Sequence, residues 1–357
     1  MTNQETNQAD NLNWPQILED LLAGKPLDFT NAKIVMTAIL KGYVSEPRLA
    51  AFLTALRAKG VYPEEIYGFV SAMKDFALKV SINNPQNAVD TCGTGGDKVG
   101  TINVSTISAF VVAGAGAKVA KHGNRAASSL TGSADLLEEL GVNIALPPDK
   151  VAICIEEIGI GFLFAPVFHP ALKVAANVRK ELGIRTVFNF LGPLANPAEV
   201  GRQIIGVSDP KMLDLIAQVL KISGITHAMV LHGAGGLDEL STLGQSEVRE
   251  IKRNQRKEIE ILSYKVDCRE FGIPYTDLAQ IKSGDRKSAA YATRAILSGE
   301  QGPKSDIVIF NSAAAMLVAG LVDKLSEGVK LAKEVLYSGK GLKKLDDLIQ
   351  LSVKLGN

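Results

Sequence analysis

From Asn13 to about residue 80, apolar positions recur every three or four residues, the spacing that lines one face of a helix. Four short helices are expected there. Asn13 caps the first, Pro15 lies in its opening turn, and Gly24 ends it. Thr30 precedes the second, which runs to near Gly42. Ser45 and Pro47 open the third, whose apolar face is Leu49, Phe52, Leu53 and Leu56 before Gly60. Pro63 opens the fourth, with Ile66, Phe69, Val70, Met73 and Phe76 on one side. From Asn84 the pattern changes. Short apolar runs at Lys118–Ala120, Phe162–Ala165, Gln203–Val207 and Ala228–Leu231 read as strands. Helical patterns near 133–140, 149–158, 170–182 and 210–223 separate them. The alternation predicts an α/β fold: a small N-terminal helical domain, then a larger α/β domain with a mainly parallel central sheet. Helices are expected again from about Ser312. Asn83-Asn84-Pro85 is the clearest linker, so the division falls between residues 1–83 and 84–357.

Composition narrows the function classes. The 357 residues carry 39 Lys and Arg against 38 Asp and Glu, a net charge of +1, which gives no general reason to expect nucleic-acid or membrane binding. The most basic run, Lys252 to Lys257, is flanked by glutamates and reads as a solvated turn between strands. Cys92, Cys154 and Cys268 are far apart and lack metal-ligand spacing, which fits a reducing cytosol better than a disulfide framework. Residues 1–11 are polar, without the apolar stretch of a signal peptide, and no apolar run reaches membrane-spanning length.

The densest chemistry lies in Asp90-Thr91-Cys92-Gly93-Thr94-Gly95-Gly96-Asp97, after a short apolar strand and before Thr101, Asn103, Ser105, Thr106 and an apolar helix. Glycines let a backbone approach a ligand closely, and the N–H groups of a turn leading into a helix favour anions. Walker A is excluded because Thr101 stands where its Lys belongs, and Gly114-Ala115-Gly116 lacks the third glycine of a dinucleotide fingerprint. Asp97 would repel a bare phosphate. It suits a sugar hydroxyl or a metal bridging phosphates, so a phosphorylated sugar is the expected ligand.

Three further clusters follow strand ends or open helices. Lys121-His122-Gly123-Asn124-Arg125-Ala126-Ala127-Ser128-Ser129 offers charge and hydroxyls suited to a diphosphate, and Ser133 can cap the next helix. His169-Pro170 opens a helix on which Leu172, Ala176, Arg179 and Gly183 share a face. An arginine there needs a carboxylate, either from within the protein as a salt bridge or from a substrate. His232-Gly233-Ala234-Gly235-Gly236-Leu237-Asp238-Glu239 places adjacent carboxylates beyond a strand, a plausible Mg²⁺ site in a phosphate enzyme. His232 reads as a hydrogen-bonded strand-end residue.

Taken together, LLAGKPLDFTNAKIVMTAILKG, GTGGDKVGTINVST, KHGNRAASSLTGSADLLEELG, HPALKVAANVRKELGIRTVFNFLGPLANP and GLDELS resemble the anthranilate phosphoribosyltransferase family over nearly the whole chain, in the family's order. The chain departs at Leu172, where the family often has Met, in TLGQSEV after GLDELS, and by an extra residue in GAGGLDE. The resemblance implies transfer of phosphoribosyl from phosphoribosyl pyrophosphate to the amine of anthranilate, releasing pyrophosphate, in tryptophan biosynthesis. It implies that Gly93, Gly96, Asp97, Thr101, Asn103, Val104, Ser105, Thr106, Lys121, His122, Gly123, Asn124, Arg125, Ala126, Ala127, Ser128, Ser129 and Ser133 hold phosphoribosyl pyrophosphate. Gly93, Asn124 and Arg179 would touch anthranilate, and Ser105, Asp238 and Glu239 would bind Mg²⁺. It also implies a cytoplasmic homodimer through a helical domain that takes in part of about residues 168–190. No strong general base is expected. A pyrimidine nucleoside phosphorylase shares the architecture, but the KHGN and NVRKELGIRT runs argue against it. A non-enzymatic nucleic-acid binder should carry a basic stripe, which is absent.

Overall fold

The protein is described here by a computed structural model covering residues 12–96, 99–126, 130–254, 256 and 258–357. The N-terminal helices are α1 (Trp14–Leu22), α2 (Phe29–Leu40), α3 (Glu46–Lys59) and α4 (Pro63–Phe76). Asn13 caps α1, its side-chain oxygen accepting from the Gln16 N–H at 3.3 Å. Asp28, not Thr30, caps α2, accepting from the Asn31 N–H at 2.7 Å. A carboxylate there meets a free N–H at the positive helix end, so the helix starts before the threonine. The expected faces of α3 and α4 are buried, except that Phe76 is half-buried. A Cβ at Gly68 would lie 2.7 Å from the Ala32 Cβ, so the missing side chain lets α4 lie against α2.

The strands are β1 (Val89–Gly93), β2 (Val119–Gly123), β3 (Ile160–Phe164), β4 (Arg202–Gly206), β5 (His227–His232), β6 (Ser246–Arg253) and β7 (Ile259–Val266). They form one sheet in the order β3-β2-β1-β4-β5-β6-β7. The first five run parallel; β6 and β7 are antiparallel additions. The basic run from Lys252 falls at the β6–β7 turn, where Gln255 and Lys257 lie outside the described residues.

Among the crossovers are α5 (Val104–Gly114), α6 (Ser133–Glu139), α7 (Pro148–Ile158), α8 (Ala165–Phe168), α9 (Ala176–Leu182), α10 (Phe188–Leu194) and α11 (Met212–Ser223). The single helix expected over 170–182 is divided: Pro170–Ala175 is a 3₁₀ turn, and only α9 is α-helical. Leu172 and Arg179 therefore do not share one regular helical face. The C-terminal helices resume before Ser312, as α12 (Leu278–Ile281), α13 (Arg286–Leu297), α14 (Pro303–Ala319), α15 (Leu325–Tyr337) and α16 (Lys340–Gly356).

Alternate strand residues supply two apolar clusters. Ile204, Met229 and Leu231 face a cluster with α5 and α14. Ile205, Ala228 and Val230 face one that includes α11 and the N-terminal helices. The chain winds from β1 to β2 and β3 on one side, and from β4 to β5 on the other. The carboxyl ends of β1 and β4 therefore flank the point where strand order reverses, the usual crevice of an open parallel sheet.

Candidate active site

Two glycines shape this crevice. Gly93 ends β1 and Gly206 ends β4, paired in register. A Cβ on Gly206 would overlap the Asp238 backbone carbonyl, and one on Gly93 would overlap its carboxylate. The missing side chains let the segment after β5 fold over both strand ends. There the Asp238 Oδ2 accepts from the Gly95 N–H at 2.9 Å, and the Glu239 Oε1 accepts from the Ser105 N–H at 3.3 Å. Ser105 sits in the first turn of α5, where free N–H groups and the helix dipole favour anions. Two carboxylates and the Ser105 hydroxyl are hard oxygen donors that fit Mg²⁺. Among the described residues no cluster of three or more His, Cys, Asp or Glu could hold a metal ion.

The glycine turn is also held from the far side. The Thr94 N–H donates to the Gly206 carbonyl at 2.8 Å. Gly95 and Gly96 adopt φ of +66° and +78°. The Arg185 guanidinium donates to the Gly95 and Gly96 carbonyls at 3.3 and 3.4 Å and to the Ser208 hydroxyl at 3.3 Å. A Cβ on Gly96 would lie 2.7 Å from that guanidinium. Asp97 lies outside the described residues. Thr101 bridges to Lys282. Asn103 donates to the Thr131 carbonyl at 3.0 Å, and among the described residues its own buried oxygen and the buried Thr106 hydroxyl have no partner. Val104 is buried.

Lys121 is buried beneath the turn. Its ammonium donates to the Thr91 carbonyl at 2.6 Å and to the Ser105 hydroxyl at 3.4 Å, and burial lowers its pKa. Asp90, fully buried on β1, accepts from the His122 N–H at 3.1 Å and from the Asn196 amide at 2.8 Å. Burial pushes this carboxyl up to about 6, opposed by Lys121. His122 and His169 have ring centroids 5.2 Å apart, and each has a buried Nε2 without a partner among the described residues. Burial lowers them to about 3 and about 4, so both are neutral at pH 7. The Cys92 thiol donates to the Ile204 carbonyl, and burial raises its pKa, so it is no nucleophile.

The second loop differs from expectation in two respects. Ser133 is the first residue of α6 and does not cap it. Its hydroxyl instead exchanges hydrogen bonds with the Asn124 N–H and carbonyl, each at 3.2 Å. The lost Cβ of Gly123 gives it room. Arg125 pairs with Asp135 at 3.1 Å and Glu138 at 2.7 Å, so its guanidinium is committed to acids. Ala126 N–H also donates to Asp135; Ala127, Ser128 and Ser129 lie outside the described residues.

Arg179 stands on α9 with its guanidinium 5.4 Å from the Phe188 ring centre, and burial lowers its pKa. The internal salt bridge that was one reading of it is absent among the described residues. His232 Nδ1 donates to the Val207 carbonyl at 2.7 Å, as a strand-end residue should. Sequence reasoning gave no role to Arg185, Asn196, Asp135 or Gly206, and named Asp90 only as the start of the glycine-rich stretch. Only Asp135, two residues beyond Ser133, carried a local signal.

Residues 85–342 match the description "Glycosyl transferase family, a/b domain", and residues 15–77 match "Glycosyl transferase family, helical bundle domain". An anthranilate phosphoribosyltransferase of Dehalococcoides mccartyi is 47% identical over 96% of this chain and 99% of that protein. One of Chromobacterium violaceum is 45% identical over 95% and 98%. The crystal structure of the Thermus thermophilus enzyme superposes with a TM-score of 0.87 at 41% identity, covering 94% of this chain and 99% of that one. The Saccharomyces cerevisiae enzyme in complex with PRPP and Mg gives 0.86 at 27% identity, over 96% and 98%. With the glycine turn, the KHGN loop and the Asp238–Glu239 segment meeting where strand order reverses, the chain belongs to the anthranilate phosphoribosyltransferase family.

Proposed function

We propose that the crevice between β1 and β4 binds phosphoribosyl pyrophosphate and that anthranilate enters beside it, its amine attacking C1 as pyrophosphate leaves. One observation carries this assignment: Asp238 and Glu239 meet the Gly95 and Ser105 N–H groups at the crevice. In this reading Ser105, Asp238 and Glu239 would hold Mg²⁺, whose charge would favour departure of a diphosphate. The sugar diphosphate is held by Gly93, Gly96, Asp97, Thr101, Asn103 to Thr106, Lys121 to Ser129 and Ser133. Unpartnered oxygens on Asn103 and Thr106 support a polar ligand there. Gly93, Asn124 and Arg179 contact anthranilate. Arg179, half-buried without a carboxylate among the described residues, supports an acidic substrate.

An aniline-type amine is nucleophilic when neutral, so no strong base is needed. Positioning and fixed charge supply the acceleration. Residues 1–83, with part of about 168–190, would form the helical domain, and 84–357 the domain that binds the sugar diphosphate. Exposed Leu22, Phe29, Tyr43 and Tyr62 support a homodimer through the helical unit. In this reading the enzyme acts in the cytoplasm, without nucleic-acid or membrane partners.

The test is turnover of anthranilate with phosphoribosyl pyrophosphate and Mg²⁺, followed by loss of anthranilate fluorescence. Calorimetry with phosphoribosyl pyrophosphate alone tests the site: Asp97→Ala and Lys121→Ala should each weaken binding. Wild-type affinity in both would make the glycine turn purely structural.

A further inference from the structure

Asp135 lies one turn into α6 with a relative exposure of only 2%. Its Oδ2 accepts from the N–H groups of Ala126 and Gly132, both at 3.0 Å. Its Oδ1 faces two guanidinium groups: Arg125 at 3.1 Å and Arg286, from the start of α13, at 2.7 Å. A helix-capping carboxylate would need only the Gly132 bond. The bond to Ala126 does something else: it joins the two ends of one loop. The neck is narrow, since a Cβ on Gly132 would overlap the Ala126 nitrogen. Asn124 and Ser133 tie the same neck one step further in. Four donors offset the cost of burying the charge.

We infer that Asp135, braced by Arg286, is a positioning residue that fixes the neck of the Asn124–Ser133 loop and so sets affinity for the diphosphate of phosphoribosyl pyrophosphate. The inference rests on the proposed role of that loop. Asp135 itself touches no substrate in this scheme; it acts through backbone groups at residues 126 and 132. An asparagine of the same shape cannot reproduce the set. Turned one way, its NH₂ opposes the two backbone N–H groups; turned the other, it opposes two cations.

The experiment is steady-state kinetics of full-length Asp135→Asn with each substrate varied, beside thermal melting. Losing charged hydrogen bonds at the neck should raise KM for phosphoribosyl pyrophosphate about tenfold or more, with kcat at saturation and KM for anthranilate little changed. A folded variant with unchanged KM for phosphoribosyl pyrophosphate overturns the inference, as does a kcat that falls with the melting temperature while that KM stays put. Should Asp135→Asn not fold, Arg286→Gln decides in its place, because Arg286 is half-exposed and braces the same oxygen. Its KM for phosphoribosyl pyrophosphate should rise by a smaller factor, and an unchanged value overturns the inference. The double variant Ser128→Ala with Ser129→Ala separates the two levels. If it raises that KM while Asp135→Asn does not, the inference alone fails; if it does not, the loop's assigned role falls and takes the inference with it.

Discussion

The two loops that flank the crevice are held by different means. The glycine turn after β1 is tethered from distant sequence: by Asp238 beyond β5, by the Gly206 carbonyl at the end of β4, and by Arg185 before α10. The loop after β2 is tethered largely from within, by Ser133 and Asp135 of the next helix, with Arg286 and Asn103 among its distant braces. The first is therefore fixed by distant segments, and the second behaves as a local unit with a fixed neck. A turn whose backbone must meet ligand and carboxylate cannot fill its own interior with side chains, so its order has to come from elsewhere.

Breaking the distant tether should have the largest effect. Asp238→Asn with Glu239→Gln should reduce turnover about 100-fold or more while the melting temperature holds. Added Mg²⁺ should restore part of it by mass action. Full activity at low Mg²⁺ would remove the carboxylates from the chemistry, and the TLGQSEV departure would then be the first place to revise. Arg179→Ala touches neither loop and serves as the control. It should lower kcat/KM for anthranilate by a factor equivalent to about 2–5 kcal/mol and leave phosphoribosyl pyrophosphate binding unchanged, as seen by varying each substrate in turn.

Gly206→Ala tests packing without removing any charge. Its Cβ would displace the Asp238 backbone, so we expect about 3 kcal/mol less stability in denaturant unfolding, with activity reduced in the folded fraction. Wild-type stability would mean the Asp238 segment yields easily and that the tether is loose.

Acid should probe the second loop at its root. The folded-state pKa values of His122 and His169, about 3 and about 4, lie below the ordinary 6.5. The unfolded chain therefore binds protons first as pH falls below about 6.5, and stability is lost in that window. Asp90 runs the other way: its carboxyl is raised to about 6, so acid relieves its burial. The net loss between pH 7 and 5 should be about 2 kcal/mol, and His122→Gln should flatten the slope of melting temperature against pH. A slope unchanged by that substitution would show that other groups dominate acid unfolding.

Much of this arrangement was legible in the chain. Periodicity placed α1, α3, α4 and the parallel strands, and the glycine and carboxylate clusters all fell beyond strand ends, where the crevice lies. The errors share a cause. The second helix was started after Thr30, yet Asp28 caps it, and Ser133 was read as a cap by residue type, yet the nearby Asn124 backbone claimed its hydroxyl. A helix was drawn through residues 170–182 because composition does not register the break at Ala175. Arg185, Asn196 and Gly206 were passed over because each matters only through a partner many residues away.

Such partners carry a temporal consequence. The glycine turn is made early in synthesis, while Asp238 emerges much later and Arg286 later still. At cellular elongation speeds the interval from Gly93 to Arg286 is roughly 10–40 s. Through that time the nascent chain holds a turn without its carboxylate and a neck without its brace. The crevice is thus among the last parts to mature, and a ribosome stalled before residue 286 would display a sheet with its crevice unfinished.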